Sequence, residues 1–142
     1  MSEAKRQVVI VPCSGIGKAF GTVAREAGYE LCDELRPNST RLVALSKLVL
    51  RDEEAREQVR QCPTITIDGC KLMCAAKLVK HNGGTTAHEV AVLDSYRQHK
   101  EFKPDGIAEL NPQGKELARV MAEEIAKVVD ALVTASKGGN HA

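Results

Sequence analysis

Residues 64–74, with the sequence TITIDGCKLMC, decide the fold of this 142-residue chain and point to its functional site. The run TITI is apolar and β-branched, which is typical of a strand buried on both faces. The segment that follows predicts a helix from about residue 71 to 81, ended by an asparagine and two glycines. Cys70 and Cys74 would then lie four positions apart on one helix face, where a strand ends and a helix begins. This position suits metal binding or thiolate chemistry, because a helix N-terminus stabilises negative charge.

The same alternation of strand and helix extends over the rest of the chain. The apolar, β-branched runs predict strands at 8–11, 42–45, 64–67 and 89–93. Helical patterns occupy 19–35, 46–60, 71–81, 95–102 and 112–136. Strands that alternate with helices indicate parallel strands joined by right-handed crossovers. We therefore expect a single α/β domain over residues 1–142. It would be a three-layer α/β/α fold with about four parallel strands, a core at about 7–94 and a long C-terminal helix at about 112–136.

The composition argues against several classes of function. The 20 basic and 19 acidic residues nearly cancel, so the overall charge gives no reason to expect binding to nucleic acid or an anionic membrane. Aromatic residues make up 3% and tryptophan is absent, which disfavours stacking on bases. No apolar run approaches the roughly 20 residues of a membrane span. The short polar N-terminus does not resemble a signal peptide, so we expect a cytoplasmic protein. Its five cysteines should then be thiols or metal ligands rather than disulfides.

The predicted topology sorts the cysteines into two groups. Cys13 follows the first strand, Cys70 follows the third, and Cys74 lies one helical turn further, so all three belong to the carboxyl edge of the sheet. Cys62 precedes the third strand and Cys32 lies near the end of the first helix, so we expect both at the opposite edge as packing residues. Three thiolates at one point would select zinc or an iron–sulfur cluster.

A fourth ligand is not evident from the sequence. A structural zinc site normally has four protein ligands, whereas a site with three leaves one position for water or substrate. By topology, the nearest further donors are Ser46, Asp68, His88 and Asp94.

The segment between the first strand and the first helix, SGIGK at 14–18, is a second candidate site. Glycines at this point allow backbone N–H groups to face an anion at the helix N-terminus. Ser14, Gly15, Gly17 and Lys18 are therefore candidate anion-binding residues. The spacing is neither that of a Walker A loop nor that of a tyrosine-phosphatase loop. The alternative is that the two glycines only shape a tight turn.

Two segments carry the motifs PCSG at 12–15 after the first strand, and IDGC at 67–70 with CA at 74–75 after the third. Together they resemble the DGC-domain family, which is named for its Asp-Gly-Cys motif. The resemblance covers about residues 8–93, and the order and spacing of the motifs agree. The family consists of small prokaryotic proteins considered to bind zinc, so the resemblance implies zinc at Cys13, Cys70 and Cys74. The family pattern has a fourth cysteine at or near the second strand, where this chain has LVALS at 42–46.

Three hypotheses of function follow from these observations. The first is a cytoplasmic zinc-binding protein that uses Cys13, Cys70 and Cys74, with an open ligand position for transfer of metal or sulfur to a protein partner. Whether it is an enzyme stays open, because no general base is evident near the cysteines. The second is a thiol redox or sulfur-carrier protein without metal, in which Cys13 works with Cys70 or Cys74. The third is an interaction domain whose C-terminal helix forms a homodimer.

Overall fold

The computed structural model describes residues 7–13, 18–69, 72–106 and 109–139. Within these ranges the chain alternates strands and helices, as the sequence predicts. The elements are β1 (Val8–Pro12), α1 (Ala19–Tyr29), a π-helix (Glu30–Leu35), β2 (Thr40–Leu42), α2 (Leu45–Val49), α3 (Glu53–Gln61), β3 (Thr64–Asp68), α4 (Cys74–His81), β4 (Thr86–Ala91), α5 (Val92–Gln98) and α6 (Pro112–Gly139).

The four strands form one parallel sheet with the order β2-β1-β3-β4. The chain passes from β1 outward to β2, then crosses back over β1 to β3 and continues to β4. Right-handed crossovers therefore place α1 on one face of the sheet, and α2, α3 and α4 on the other. The helix contacts agree, because α1 packs against α6 and the π-helix, while α2 packs against α3 and α4. The predicted α/β fold with a parallel sheet is confirmed.

The two central strands carry the core. All five residues of β1 and all five of β3 are buried, which explains why β1 is apolar throughout and β3 begins with the β-branched run TITI. Helix α6 covers one face of the sheet with Leu117, Met121 and Val129, each 0% exposed. Full burial of a side chain of this kind stabilises the fold by about 1.5–3 kcal/mol. Among the described helices, none is both long and apolar enough to cross a membrane.

The two edge strands are displaced from their predicted positions. The second strand is Thr40–Leu42 rather than 42–45, and the fourth is Thr86–Ala91 rather than 89–93. Each pairs with one neighbour only, so its outer side can be polar, and the apolar pattern no longer marks the strand. The apolar residue Val92, which suggested a strand, is buried at the start of α5 instead. That helix therefore begins earlier than the predicted 95–102.

Two predicted helices are interrupted. The helix expected at 46–60 is divided into α2 and α3, because Arg51 has a φ of 59° and Asp52 begins a new helix by accepting the Ala55 N–H at 3.0 Å. The helix expected at 19–35 is α-helical only to Tyr29, and its last six residues are π-helical. The predicted C-terminal helix is present as α6.

Candidate thiolate site

The candidate site lies at the carboxyl edge of the sheet, between β1 and β3. The chain leaves these neighbouring strands in opposite directions, which makes the crevice between their carboxyl ends the topological switch point of the sheet. Cys13 directly follows β1, and its backbone N–H donates to the carbonyl of Ile67 at 2.8 Å. Asp68 ends β3 and Gly69 follows it. The ends of the two strands thus bring Cys13 next to the Asp-Gly-Cys segment.

The sulfur of Cys13 is held by a backbone donor. Cys13 is 7% exposed, and its Sγ accepts the N–H of Gly69 at 3.1 Å in a buried environment. An N–H donor stabilises a charged sulfur more than a neutral one, because the N–H dipole points its positive end at the sulfur. This contact therefore favours thiolate chemistry at Cys13, whether the thiolate binds a metal or reacts.

Gly69 is required by a close approach of two backbones. A Cβ at this position would lie 2.8 Å from the Gly21 nitrogen and 2.9 Å from the Phe20 carbonyl carbon, in the first turns of α1. Backbone atoms cannot swing aside as the tip of a side chain can. Glycine therefore lets α1 press against the end of β3, and this packing brings the Gly69 N–H to Cys13.

Asp68 serves the following helix. Its side chain is buried, at 1% exposure, with Oδ1 accepting the Ala75 N–H at 2.7 Å and Oδ2 accepting the Ala76 N–H at 3.2 Å. Burial raises the pKa of Asp68, and the hydrogen bonds from Ala75 and Ala76 offset part of that rise. Asp68 is a candidate for the fourth ligand by topology, and in the structure each of its oxygens accepts an N–H of α4.

Helix α4 begins at Cys74, three residues later than the predicted start at 71. Its N-cap, Met73, has left-handed backbone angles of φ 53° and ψ 48° and offers no capping side chain. Cys70 therefore precedes the helix, and the expectation of two cysteines four positions apart on one helix face is wrong. Cys74 is exposed at the first position of α4. Cys70 and Lys71 lie outside the described residues.

The other two cysteines lie at the amino edge of the sheet. Cys32 is half-buried in the π-helix. Burial raises the pKa of Cys32, and the side chain of Thr40, the first residue of β2, offsets part of the rise. Cys62 is half-buried after α3, and its carbonyl accepts the hydroxyl of Thr64, the first residue of β3. The predicted separation of these two cysteines from Cys13 is confirmed.

The remaining predicted donors are spread over the surface. Ser46 is exposed on α2, His88 is exposed on β4, and the exposed Asp94 forms an ion pair with Arg97 at 3.7 Å in α5. Within the described ranges, no group of three His, Cys, Asp or Glu side chains could hold a metal ion. That search does not include Cys70. The described part of the chain therefore contains two of the three predicted ligands, Cys13 and Cys74.

The predicted anion-binding segment is described at one residue. Lys18 is exposed and is the N-cap of α1, with its carbonyl accepting the Thr22 N–H at 3.2 Å. Ser14, Gly15 and Gly17 lie outside the described residues, so anion binding there stays a prediction.

Sequence reasoning missed the capping role of Asp68 and the hydrogen bond from Gly69 to Cys13. The first has a signal only once the start of α4 is known. The residue before Cys74 is a methionine rather than Ser, Thr, Asp or Asn, so a helix that begins there needs a cap from elsewhere in the chain. The second had none, because it depends on how closely α1 approaches the end of β3.

A protein-family model described as the DGC domain matches residues 9–132. The match includes the sheet except for Val8, all five cysteines and most of α6, so it extends beyond the region that carries the motifs. No curated protein and no solved structure matches the chain.

Proposed function

This chain belongs to the DGC-domain family, and we propose that it binds zinc through the thiolates of Cys13, Cys70 and Cys74. One observation carries the proposal: the Gly69 N–H donates to the Cys13 sulfur at the switch point of the sheet. Gly69 is the residue directly before Cys70. A backbone donor to a buried sulfur is the kind of outer contact that orients a metal ligand and stabilises its charge.

The donor chemistry also fits zinc. Cysteine thiolates are ligands for zinc and for iron–sulfur clusters, and the exposed Cys74 lies at a helix N-terminus that favours negative charge. A bound zinc ion would keep its thiolate ligands deprotonated at neutral pH and tie the segment after β3 to the end of β1. Three cysteine ligands would leave a position through which metal or sulfur could pass to a partner protein.

Metal content tests the proposal. Protein purified without an affinity tag should contain about one zinc per chain, measured by mass spectrometry together with iron. A Cys70→Ser, Cys74→Ser variant should lose it, and so should Cys13→Ser. Cys62→Ser is the matched control, because this cysteine lies at the amino edge, and it should keep the metal. Metal that survives Cys13→Ser but disappears in Cys62→Ser would refute the proposal. If the analysis finds iron and acid-labile sulfide instead of zinc, the same ligands hold an iron–sulfur cluster.

A metal-free thiol function is the second candidate, and the exposure of Cys74 favours it. Cys74 is exposed at the first position of α4, where it is accessible to a partner disulfide. Thiol–disulfide exchange there would break the partner's S–S bond as a mixed disulfide forms, and Cys13 or Cys70 could resolve it. Metal-free protein that cycles between a reduced and a disulfide form within residues 13–74 would support this function over zinc binding.

Two expectations belong to the zinc proposal. Thiolate ligands require a reducing compartment, and the cytoplasm is the simplest one. Ser14, Gly15, Gly17 and Lys18 would bind an acidic group of a partner or ligand at the N-terminus of α1, at the same edge of the sheet.

A further inference from the structure

Two helices of this protein are capped by aspartates in different ways. Helix α3 has the ordinary arrangement, in which the N-cap residue Asp52 accepts the Ala55 N–H within the same turn. Helix α4 has Met73 at its N-cap and receives its capping carboxylate from Asp68, at the end of β3. The cap of α4 therefore reaches across the segment that contains Cys70.

The distant cap fixes the position of α4 relative to the sheet. Asp68 has little freedom because it lies in β3, and its two oxygens bind the N–H groups of Ala75 and Ala76 at 2.7 and 3.2 Å. At 1% exposure, the carboxylate meets little competition from water for these hydrogen bonds. Cys74 directly precedes the two bonded residues, so its place is set by the carboxylate.

The neighbouring residue fixes the other described cysteine. The Gly69 N–H binds the Cys13 sulfur at 3.1 Å, so two consecutive residues hold the two sides of the site. Asp68 holds the helix that begins with Cys74, and Gly69 holds the sulfur of Cys13. Neither residue needs to touch a metal to control where the sulfurs lie.

We infer that Asp68 is the positioning residue of the thiolate site, and this inference rests on the proposed zinc function. A ligand role for Asp68 is disfavoured, because an oxygen that turned to a metal would leave a buried N–H of α4 without a partner. Loss of an outer contact that orients metal ligands typically lowers metal affinity about 10–100-fold.

The test compares Asp68→Asn with Asp52→Ala. The asparagine keeps the shape of the side chain but turns an N–H₂ group toward one of the two N–H donors. Asp52→Ala removes the cap of α3, a helix that carries none of the proposed ligands. We expect Asp68→Asn to bind zinc about 10–100-fold more weakly in competition with a chelating dye, and to shift the absorption spectrum of the cobalt-substituted protein. Asp52→Ala should lose stability in urea but keep wild-type affinity and the wild-type cobalt spectrum.

Two outcomes would overturn the inference. One is wild-type affinity and spectrum in Asp68→Asn, which would reduce Asp68 to an ordinary helix cap. The other is an equal loss of affinity in Asp52→Ala, which would show that affinity follows general stability.

A metal-free measurement separates this inference from the zinc proposal. Dibromobimane bridges two sulfurs that lie close together, and peptide mapping identifies the bridged pair. Bridging among Cys13, Cys70 and Cys74 should fall roughly tenfold in Asp68→Asn and stay unchanged in Asp52→Ala. If the wild-type protein holds no metal, the zinc proposal fails, and this result alone decides the role of Asp68. Equal bridging in Asp68→Asn and wild type would reject it.

Discussion

The two edges of the sheet carry the same residue type in different surroundings. At the carboxyl edge, the Cys13 sulfur accepts a backbone N–H, and Cys74 is exposed at the start of a helix. At the amino edge, Cys32 packs against the core inside a π-helix, and Cys62 ends α3. The carboxyl edge is where strands end and helices begin, so helix N-termini and loop backbone supply N–H donors to a cysteine sulfur there. In the described part of the chain, the amino edge lacks this source of donors for Cys32 and Cys62.

The largest expected effect comes from removing the close approach that makes the carboxyl edge special. Gly69→Ala would force a Cβ to within 2.8 Å of the α1 backbone, so we expect a loss of stability near the upper end of the about 1–3 kcal/mol typical of overpacking. The Gly69 N–H would also move from Cys13, so zinc should be lost. Urea denaturation and metal analysis measure both effects.

Gly28→Ala is the matched control, because Gly28 lies in α1, the helix that Gly69 approaches. Its Cβ would meet side-chain atoms of Pro12 and Leu42 at 3.1 and 3.3 Å, a looser approach than the 2.8 Å to backbone at Gly69, and alanine favours a helix over glycine by about 1 kcal/mol. We therefore expect a change of stability within about 1 kcal/mol and unaltered zinc content. Equal destabilisation by the two substitutions would show that the close approach to the α1 backbone does not make Gly69 less tolerant of a Cβ than Gly28.

The second prediction concerns cysteine reactivity. In metal-free native protein, the exposed Cys74 should react with iodoacetamide roughly tenfold or more faster than Cys32, because a packed thiol needs local opening. Burial also raises the pKa of Cys32, which lowers its thiolate fraction. Site-resolved mass spectrometry of short pulses gives the rates, and the unfolded protein provides the reference. Comparable rates for these two cysteines in the native protein would contradict the proposed difference in cysteine accessibility between the carboxyl and amino edges.

The third prediction concerns β3, the strand that runs from the amino edge of the sheet to the carboxyl edge. Thr66 lies at the centre of β3 with 0% exposure, and its hydroxyl has no hydrogen-bond partner among the described residues. Thr66→Val should therefore stabilise the fold by about 1 kcal/mol and leave zinc content unchanged. A thermal melt checks the stability. A destabilised Thr66→Val variant would mean that the hydroxyl has a partner.

The smallest expected effect is an ion pair near the amino edge, between Arg36 and Asp130 at 2.8 Å. The hydrogen bonds from Arg36 lower the pKa of Asp130. The pair therefore stabilises the fold above the pKa of the unfolded carboxyl, and this stabilisation disappears as the pH falls through the lower pKa of the folded state. Because both side chains are partly exposed, Asp130→Asn should cost about 0.2–1 kcal/mol at about pH 7 and little at about pH 2. A difference in urea stability that grows toward low pH would contradict this assignment.

The predictability of the fold follows burial. The central strands were predicted closely because both faces are covered, so a run of apolar or β-branched residues marks them. The positions of the edge strands β2 and β4 were predicted less well. One side of each strand is open to solvent, so polar as well as apolar residues occur in it. The π-helix at Glu30–Leu35 had no recognised pattern in the sequence, because its apolar residues suit an α-helix as well.

The site was predictable to the level of topology. The rule that sites form at the carboxyl ends of parallel strands separates Cys13 from Cys32 and Cys62 on the sequence alone. The rule could not reveal that Asp68 turns to cap α4, since this depends on where α4 begins. Helix propensity alone extended α4 back to residue 71, whereas the left-handed Met73 makes it begin at Cys74.

The most direct test of the central claim is the zinc K-edge X-ray absorption spectrum of the zinc-loaded protein. Thiolate coordination at the carboxyl edge predicts a dominant sulfur shell at about 2.3 Å. It also predicts that Cys13→Ser removes part of that shell while Cys62→Ser leaves it unchanged. A spectrum with only nitrogen and oxygen neighbours at about 2.0–2.1 Å, insensitive to Cys13→Ser, would contradict the claim.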